Sequence, residues 1–517
     1  MKKILSFIAA AAITVGISNT VHAQNNYNVT RLYGMDRYKT SVSISNQFNN
    51  GTLENVIVAS GKNFPDALAG SVLSKKLNAP ILLAGNTEDE SKECIQYIKS
   101  HLDKSGTVYL LGGQASINDE FINKIKSEGY KNFVRLGGKN RFDTNKSIVN
   151  FMNVEKHTPV VIVNAYGFAD ALSVSSIAAS KGYPIIMTSN SKLSDEAINM
   201  IKNIEPSEVY IIGGDASVGA NVISEIKGIV PSLDKDKVIK LAGKDRYETS
   251  LKVCNCFNMD TDTAVIANGS NFPDALSGSA LATKFNAPIV LTDGKDITNQ
   301  KEFLDGKNYK NIYLLGGAAA IDFSVEYLLR GPENITAEER DYVNKLLDYC
   351  DKYIAENTNT TNYIMNRLDD VLTEENLANL QDPNKILSAL DEFSRFYKDY
   401  KTILETYRQS VLNQRNEAAA MGELNGLESL KIQYINSIDI EINSADKLII
   451  MISSYESNLN NLKDAIKSGN MNKVQQVLQK LEEDNADSLD KIIGLEDGQM
   501  EINKLKEKLL TIKNMMN

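Results

Sequence analysis

The 517-residue chain has no tryptophan, three histidines, four cysteines and ten prolines, and each shortage excludes something. Only His101 and His157 lie beyond the first 23 residues, and no histidine follows His157. The C-terminal part therefore holds no Ser/His/Asp triad, no Cys/His pair and no histidine-based zinc hydrolase site. Cys94, Cys254, Cys256 and Cys350 are too few and too scattered for a disulfide framework. They lack the further ligands of a zinc site and read as small buried hydrophobes. No catalytic residue, metal or cofactor is expected. A carboxylate pair for glycoside hydrolysis is not excluded by counting, but nothing here suggests a sugar-lined cleft around one. No apolar run reaches the length of a membrane span. The longest, Ile4 to Ile17, follows Lys2 and Lys3 and precedes Val21-His22-Ala23, which reads as a signal peptide over 1–23 with the mature chain starting at Gln24.

Charge is unevenly spread. Between Gln24 and Gly331 there are 33 basic and 33 acidic residues; from Pro332 onward there are 21 basic and 33 acidic. Neither part is basic enough for a nucleic-acid partner. An anionic polymer can still meet local cationic clusters in the neutral part, whereas the acidic part repels it.

What is present is repetition. "RLYGMDRYKTSVSIS" from Arg31 returns as "RLGGKNRFDTNKSIV" from Arg135 and "KLAGKDRYETSLKVC" from Lys240. A second phrase runs from Ser60, Asn164 and Asn268, and places Asp66, Asp170 and Asp274 104 residues apart. A third ends in the pairs Gly112-Gly113, Gly213-Gly214 and Gly316-Gly317. A fixed period signifies one structural unit copied. Several weak sites on one chain suit the holding of a repeating polymer better than they suit catalysis.

Within a copy, short apolar runs such as "NVIVAS" from Asn55, "PILLA" from Pro80 and "TVYLLGG" from Thr107 read as buried strands. Amphipathic stretches such as Asp66 to Leu77 and Glu90 to Leu102 read as helices between them. The alternation predicts an α/β fold with a parallel sheet in each copy, each large enough for its own core. The expected divisions are 24–131, 132–235 and 236–331. After Gly331 only Pro332 and Pro383 occur among 186 residues, and Thr336 to Glu339 forms a capping-box signature. Ile386, Leu390, Phe393, Tyr397, Tyr400, Leu404, Tyr407 and Val411 recur at spacings of four and three. Ala445, Leu448, Ile452, Tyr455, Leu459, Leu462 and Ile466 do the same. An all-α module is expected over 332–517: an elongated antiparallel bundle, with coiled-coil-like seams and breaks near Asn357, Gln381, Gly422 and Gly426, Gly469 and Gly494.

Three motifs carry the functional question. The Gly-Gly pairs follow strands but lack the G-x-G-x-x-G and P-loop fingerprints, so tight turns explain them better than phosphate binding. Asp66, Asp170 and Asp274 are expected to open helices, where the dipole favours a carboxylate. Arg37, Arg141 and Arg246 stand at helix starts where a cation is disfavoured. Two uses remain open: an ion pair with the repeat's own Asp, or contact with an anionic group of a polymer.

With these residues in view, the chain resembles the cell-wall-binding repeat type 2 family of clostridial surface proteins. The resemblance runs from Val29 to about Asp322 and rests on R-[YF]-x-T, N-F-P-D-A-L-[AS]-G, A-P-I-[LV]-L and L-L-G-G. It implies three Rossmann-like or flavodoxin-like units in a pseudo-threefold triangle, bound noncovalently to an anionic secondary cell-wall polysaccharide. It also implies secretion to the surface layer of a Gram-positive cell and a variable module displayed there. By position, polymer contacts are expected at Arg37, Arg141 and Arg246, at Asp66, Asp170 and Asp274, and in the segments holding Leu82, Ile186 and Val290. The middle copy departs at Asn140, Phe142 and Ala169, and the third is shortened between Asp293 and Tyr309. For residues 332–517 the readings are display, docking to surface-layer proteins or a host surface, or a wall-modifying hydrolase.

Overall fold

The computed structural model describes residues 26–66, 69–379, 385–424, 427–486 and 489–516. The expected signal segment, Gly426 and the break near Gln381 lie outside the described residues. The first copy runs β1 (Asn28–Leu32), α1 (Arg37–Phe48), β2 (Leu53–Ser60), α2 (Gly70–Leu77), β3 (Ile81–Ala84), α3 (Glu88–His101), β4 (Leu102–Leu111) and α4 (Asp119–Ser127). The second runs β5 (Asn132–Leu136), α5 (Arg141–Met152), β6 (Val160–Asn164), α6 (Ala169–Lys181), β7 (Ile185–Thr188), α7 (Asp195–Ile204), β8 (Val209–Ile212) and α8 (Ala220–Ile229). The third runs β9 (Val238–Leu241), α9 (Arg246–Phe257), β10 (Thr263–Asn268), α10 (Pro273–Lys284), β11 (Ile289–Thr292), α11 (Thr298–Asp305), β12 (Asn311–Leu315) and α12 (Phe323–Arg330). The residue before each arginine is a cap. Asp36, Asn140 and Asp245 accept from the backbone N–H groups of Lys39, Asp143 and Glu248, which fixes where α1, α5 and α9 begin.

The strands form three four-stranded parallel sheets, ordered β3-β2-β4-β5, β7-β6-β8-β9 and β1-β12-β10-β11. Every sheet borrows its fourth strand from the copy that follows. β5 pairs with β4, β9 with β8, and β1 closes the circle on β12 from Asn28↔Asn311 to Leu32↔Leu315. A repeat of sequence and a unit of fold are thus out of phase. The helices are shared as well. α5 packs on α2, α9 on α6 and α1 on α10, so each copy leans on its predecessor around a pseudo-threefold axis.

The expectation of a separate core for each copy needs correction. Each unit has an outer cluster of its own, but the largest cluster draws Leu73, Val174 and Leu281 from α2, α6 and α10, together with strand residues of all three copies. The central helices are rich in Ala, Ser and Gly, which lets their backbones approach. Ser71 Oγ donates to the Ser175 carbonyl at 2.9 Å, and a Cβ at Gly278 would collide with Leu315. One cysteine also differs from expectation: Cys94, Cys254 and Cys350 are buried, but Cys256 is exposed on α9.

Beyond Gly331 the described residues form helices: α13 (Ala337–Val371), α14 (Glu374–Asn379), α15 (Ile386–Ala419), α16 (Glu428–Lys467), α17 (Met471–Ala486) and α18 (Leu489–Met516). The Thr336/Glu339 capping box is formed. α13 packs on α15, α15 on α16, α16 on α18 and α18 on α13, an up-down-up-down bundle. α16, with 40 residues, is about 60 Å long at 1.5 Å per residue. The two apolar series meet along it: Leu404, Leu448 and Ile452 pack together, as do Leu390, Leu459 and Leu462. Two expected breaks are not there, since α13 continues through Asn357 and α18 through Gly494. The bundle is docked on the third unit. Phe323 and Tyr327 of α12 are buried with Val343, Leu430 and Leu509, Lys508 pairs with Asp322 at 2.9 Å, and Tyr33 donates to Glu428.

Candidate functional site

The Gly-Gly pairs and the repeated aspartates prove to be two halves of one device. Gly112, Gly213 and Gly316 have φ of +97°, +107° and +101°, and a Cβ at any of them would collide with the carboxylate of Asp66, Asp170 or Asp274. The pair turns the chain after β4, β8 and β12 and leaves room for the carboxylate, in keeping with the tight-turn reading. Ser116 donates to Asp66, and Ser217 to Asp170 at 2.5 Å. In the third copy Ala320 takes the serine's place beside Gly316. Burial raises the pKa of Asp274 to about 6, with Arg37 acting in the opposite direction. Burial also raises that of Asp170, against the pull of Ser217 and Arg246. Asp170 and Asp274 lie in the first turns of α6 and α10. Asp66 lies in a turn ahead of α2, whose helix begins at Gly70.

The arginines do not pair with their own repeat's aspartate. Each guanidinium donates to a backbone carbonyl instead: Arg37 to Gly61 at 2.7 Å, Arg141 to Ala165 at 2.8 Å and Arg246 to Gly269 at 2.7 Å. The carboxylates that feel these charges belong to the preceding copy, Asp274 for Arg37 and Asp170 for Arg246. The cyclic packing of α1 and α9 is the reason, because each carries its arginine toward the preceding copy, whereas Arg141 meets Ala165 and Tyr166 of its own copy. Arg37 and Arg246 therefore lie between repeats.

At the carboxyl ends of β2, β6 and β10 the chain turns inward, and Phe64, Phe168 and Phe272 meet in a triangle with ring centroids 5.5, 5.6 and 5.9 Å apart. Arg246 lies over the Phe168 ring at 5.7 Å and Arg141 over Tyr166 at 4.6 Å. Lys62, Asn63, Tyr166, Ser270 and Asn271 stand exposed in the same loops. One face thus carries an aromatic trio on the axis with cationic groups around it. The phenylalanine is present in every second phrase, and that recurrence was the available signal for it.

Leu82, Ile186 and Val290 are not part of this face. They sit inside β3, β7 and β11 with 0% exposure, so these side chains have no surface to offer a polymer. Their segments form the third-strand cores. The first residue of each opening phrase, by contrast, has a role that sequence reasoning passed over. Arg31 bonds Glu326 at 2.7 Å and the Ile321 carbonyl at 2.7 Å; Arg135 bonds the Gly112 and Ile117 carbonyls at 2.9 Å; Lys240 bonds Asp215 at 2.5 Å and the Val218 carbonyl at 3.0 Å. These cations fasten the borrowed strand to the Gly-Gly turn of the preceding unit.

The sequence profile of the family described as cell wall binding domain 2 (CWB2) matches residues 31–122, 135–223 and 240–326. The chain belongs to this family. As a CWB2 protein it shares the family's secreted, surface-associated location. Cwp6 from Clostridium difficile is similar at 26% identity and TM-score 0.52, covering 59% of this chain and 48% of that one. Cwp8 from the same organism is similar at 28% and 0.51, covering 60% and 53%. The N-acetylmuramoyl-L-alanine amidase LytC of Bacillus subtilis is 29% identical over 59% of this chain and 58% of its own length. The amidase enhancer of that organism is 29% identical over 62% and 45%. The CWB2 chain thus spans about half the length of the curated relatives it matches. Among the described residues no His, Cys, Asp or Glu group is arranged to hold a metal ion, and no helix is long and apolar enough to cross a membrane.

Proposed function

We propose that the CWB2 ring holds the protein noncovalently on an anionic polysaccharide of a Gram-positive wall, and that residues 332–517 are the part displayed at the surface layer. The observation that carries this reading is the convergence of three arginine-bearing junctions on one face around the phenylalanine trio. Arg37, Arg141 and Arg246 each spend one nitrogen on a carbonyl, and a planar guanidinium keeps further donors for a phosphate or carboxylate. Asp66, Asp170 and Asp274 act from behind, shaping the Gly-Gly turns rather than touching the polymer. Display rather than hydrolysis is supported by the bundle, whose apolar seams are satisfied by one another. Its partners, whether surface-layer proteins or a host surface, meet its outer faces, where Tyr363, Met365 and Ile450 stand exposed.

The test is cosedimentation of the full chain with purified walls, before and after removal of the anionic polysaccharide, across a salt series. Binding that is lost with the polymer and weakened by salt is expected. Equal binding to stripped walls would overturn the reading.

A further inference from the structure

The third unit contains an opening that the other two close. In the first unit α1 packs on α3, and in the second α5 packs on α7, whereas α9 stands off from α11. Between them lies a solvent-open cavity of about 610 Å³, within the size range of small-ligand sites. Two features of the sequence produce it. α11 has eight residues where α3 has 14, so it covers less of its neighbour. The sides that face each other are also polar, with Asn255 on α9 opposite Asn299 on α11, so closing the gap would desolvate amides for little gain.

The lining has a consistent chemistry. Leu251 and Phe303 form an apolar floor, and the Tyr247 ring stands at the side, its hydroxyl 3.0 Å from Ser270 Oγ. Five acidic residues line the wall, Asp245, Glu248, Asp293, Asp296 and Glu302, against Lys244 and Lys307, and one of the five, Glu248, is paired with Lys252 at 2.9 Å. Four of the carboxylates are fixed by backbone N–H groups: Asp245 accepts from Glu248 at 2.8 Å, Glu248 from Lys244 at 2.9 Å, Asp293 from Asp296 at 3.0 Å and Asp296 from Thr298 at 2.9 Å, which leaves Glu302 as the carboxylate with no such bond. Lys307 bonds Asn258 at 2.8 Å, and its ammonium lies over the Phe303 ring, 5.5 Å from the centroid. The cavity therefore prefers a cation, the opposite sign to the arginine face beside it.

The geometry points to a binding site for a single amino sugar with a free ammonium group. The apolar face of the pyranose lies on Tyr247 and Leu251, its hydroxyls meet Asn255 and Asn299, and its ammonium faces the acidic side of the wall that includes Glu302. This goes beyond the anchoring function and does not depend on it, because the site is complete within the third unit and of contrary charge. The size and openness of the cavity suit weak, millimolar recognition of one residue.

The test is a calorimetric titration of the full chain with glucosamine, N-acetylglucosamine and glucose 6-phosphate. Glucosamine is expected to bind at about 1–10 mM, N-acetylglucosamine at least ten-fold more weakly, and glucose 6-phosphate not at all. Glu302→Gln, at an exposed helix position, should weaken glucosamine about five-fold, and Asn299→Trp should fill the cavity and abolish binding. Absence of glucosamine binding, a preference for the sugar phosphate, or binding that ignores both variants overturns the inference. Wall cosedimentation of the wild type reports on the anchor separately.

Discussion

The ring is closed noncovalently where β1 pairs with β12 and α1 packs on α10, and Arg31 is a buried cation that fastens this seam. Its side chain is 4% exposed and pairs with Glu326, itself 12% exposed. It also donates to the Gly316 carbonyl at 3.0 Å and the Ile321 carbonyl at 2.7 Å, and lies 4.9 Å from the Phe323 ring centroid. Arg31→Ala leaves a buried carboxylate without its partner, a change that costs 3–5 kcal/mol in comparable settings. Arg330 remains 3.8 Å from Glu326 and can take up part of the charge, which places the expected loss near the lower end, about 3 kcal/mol. Arg135→Ala breaks only bonds to carbonyls and should cost about 2 kcal/mol. Lys240→Ala should cost less than about 1 kcal/mol, because its partner Asp215 is 88% exposed. Urea denaturation of the full chain gives the order, and hydrogen exchange at the β1 amides gives the place. Arg31→Ala with Glu326→Gln should recover part of the loss. If the three single variants cost the same, or if β1 stays protected in Arg31→Ala, the seam does not depend on that side chain.

Other outcomes follow from the site. Replacing Arg37, Arg141 and Arg246 together by Gln should lower wall binding at least ten-fold while costing only about 1 kcal/mol of stability per lost carbonyl bond; a large stability loss with unchanged binding would refute the polymer role. Asp274 holds its proton more tightly folded than unfolded, so its contribution favours the fold below about pH 4 and falls as pH rises through about 6, a swing of up to about 3 kcal/mol. Ala320→Ser should supply the hydroxyl that Ser116 and Ser217 give elsewhere and flatten that swing, as measured by urea midpoints between pH 4 and 7; an unchanged pH profile would count against the pairing. Gly213→Ala should cost about 2 kcal/mol or more, from its positive φ and its collision with Asp170, whereas Gly214→Ala, with nothing near its Cβ, should cost under about 0.5 kcal/mol. Equal melting of the two would show that the carboxylate yields easily.

The alternation of strands and helices was legible because its signals are local: apolar runs of four to six residues, Asp or Asn caps and a seven-residue seam. The borrowed strand was not. A circular arrangement has a period but no visible phase, so nothing in the phrases says whether "TRL" closes one unit or opens the next. The same ambiguity misdirected the arginines. Asp66 follows Arg37 by 29 residues and looks like its partner, but α1 lies on α10 and delivers the charge to Asp274. Leu82, Ile186 and Val290 stand where the family resemblance implies polymer contacts, but their apolar neighbours on both sides mark them as core. Asn357 looked like a break because Asn and Thr are poor helix formers, yet Tyr353 is fully buried one turn earlier and tertiary packing carries α13 onward.

Because β1 is completed by β12, the strand made near the start of the chain waits for the last strand of the ring, Asn311–Leu315. The first two units can assemble as soon as β5 and β9 emerge, but the third must reach back across the whole ring. Until it does, β1 and the open flank of β12 are complementary bare edges. At high local concentration, as in a crowded envelope, the β1 of one molecule can meet the β12 of another, and a series of such exchanges would propagate as a filament of linked open rings. Secretion speed and crowding therefore bear on whether this fold is delivered as a closed monomer.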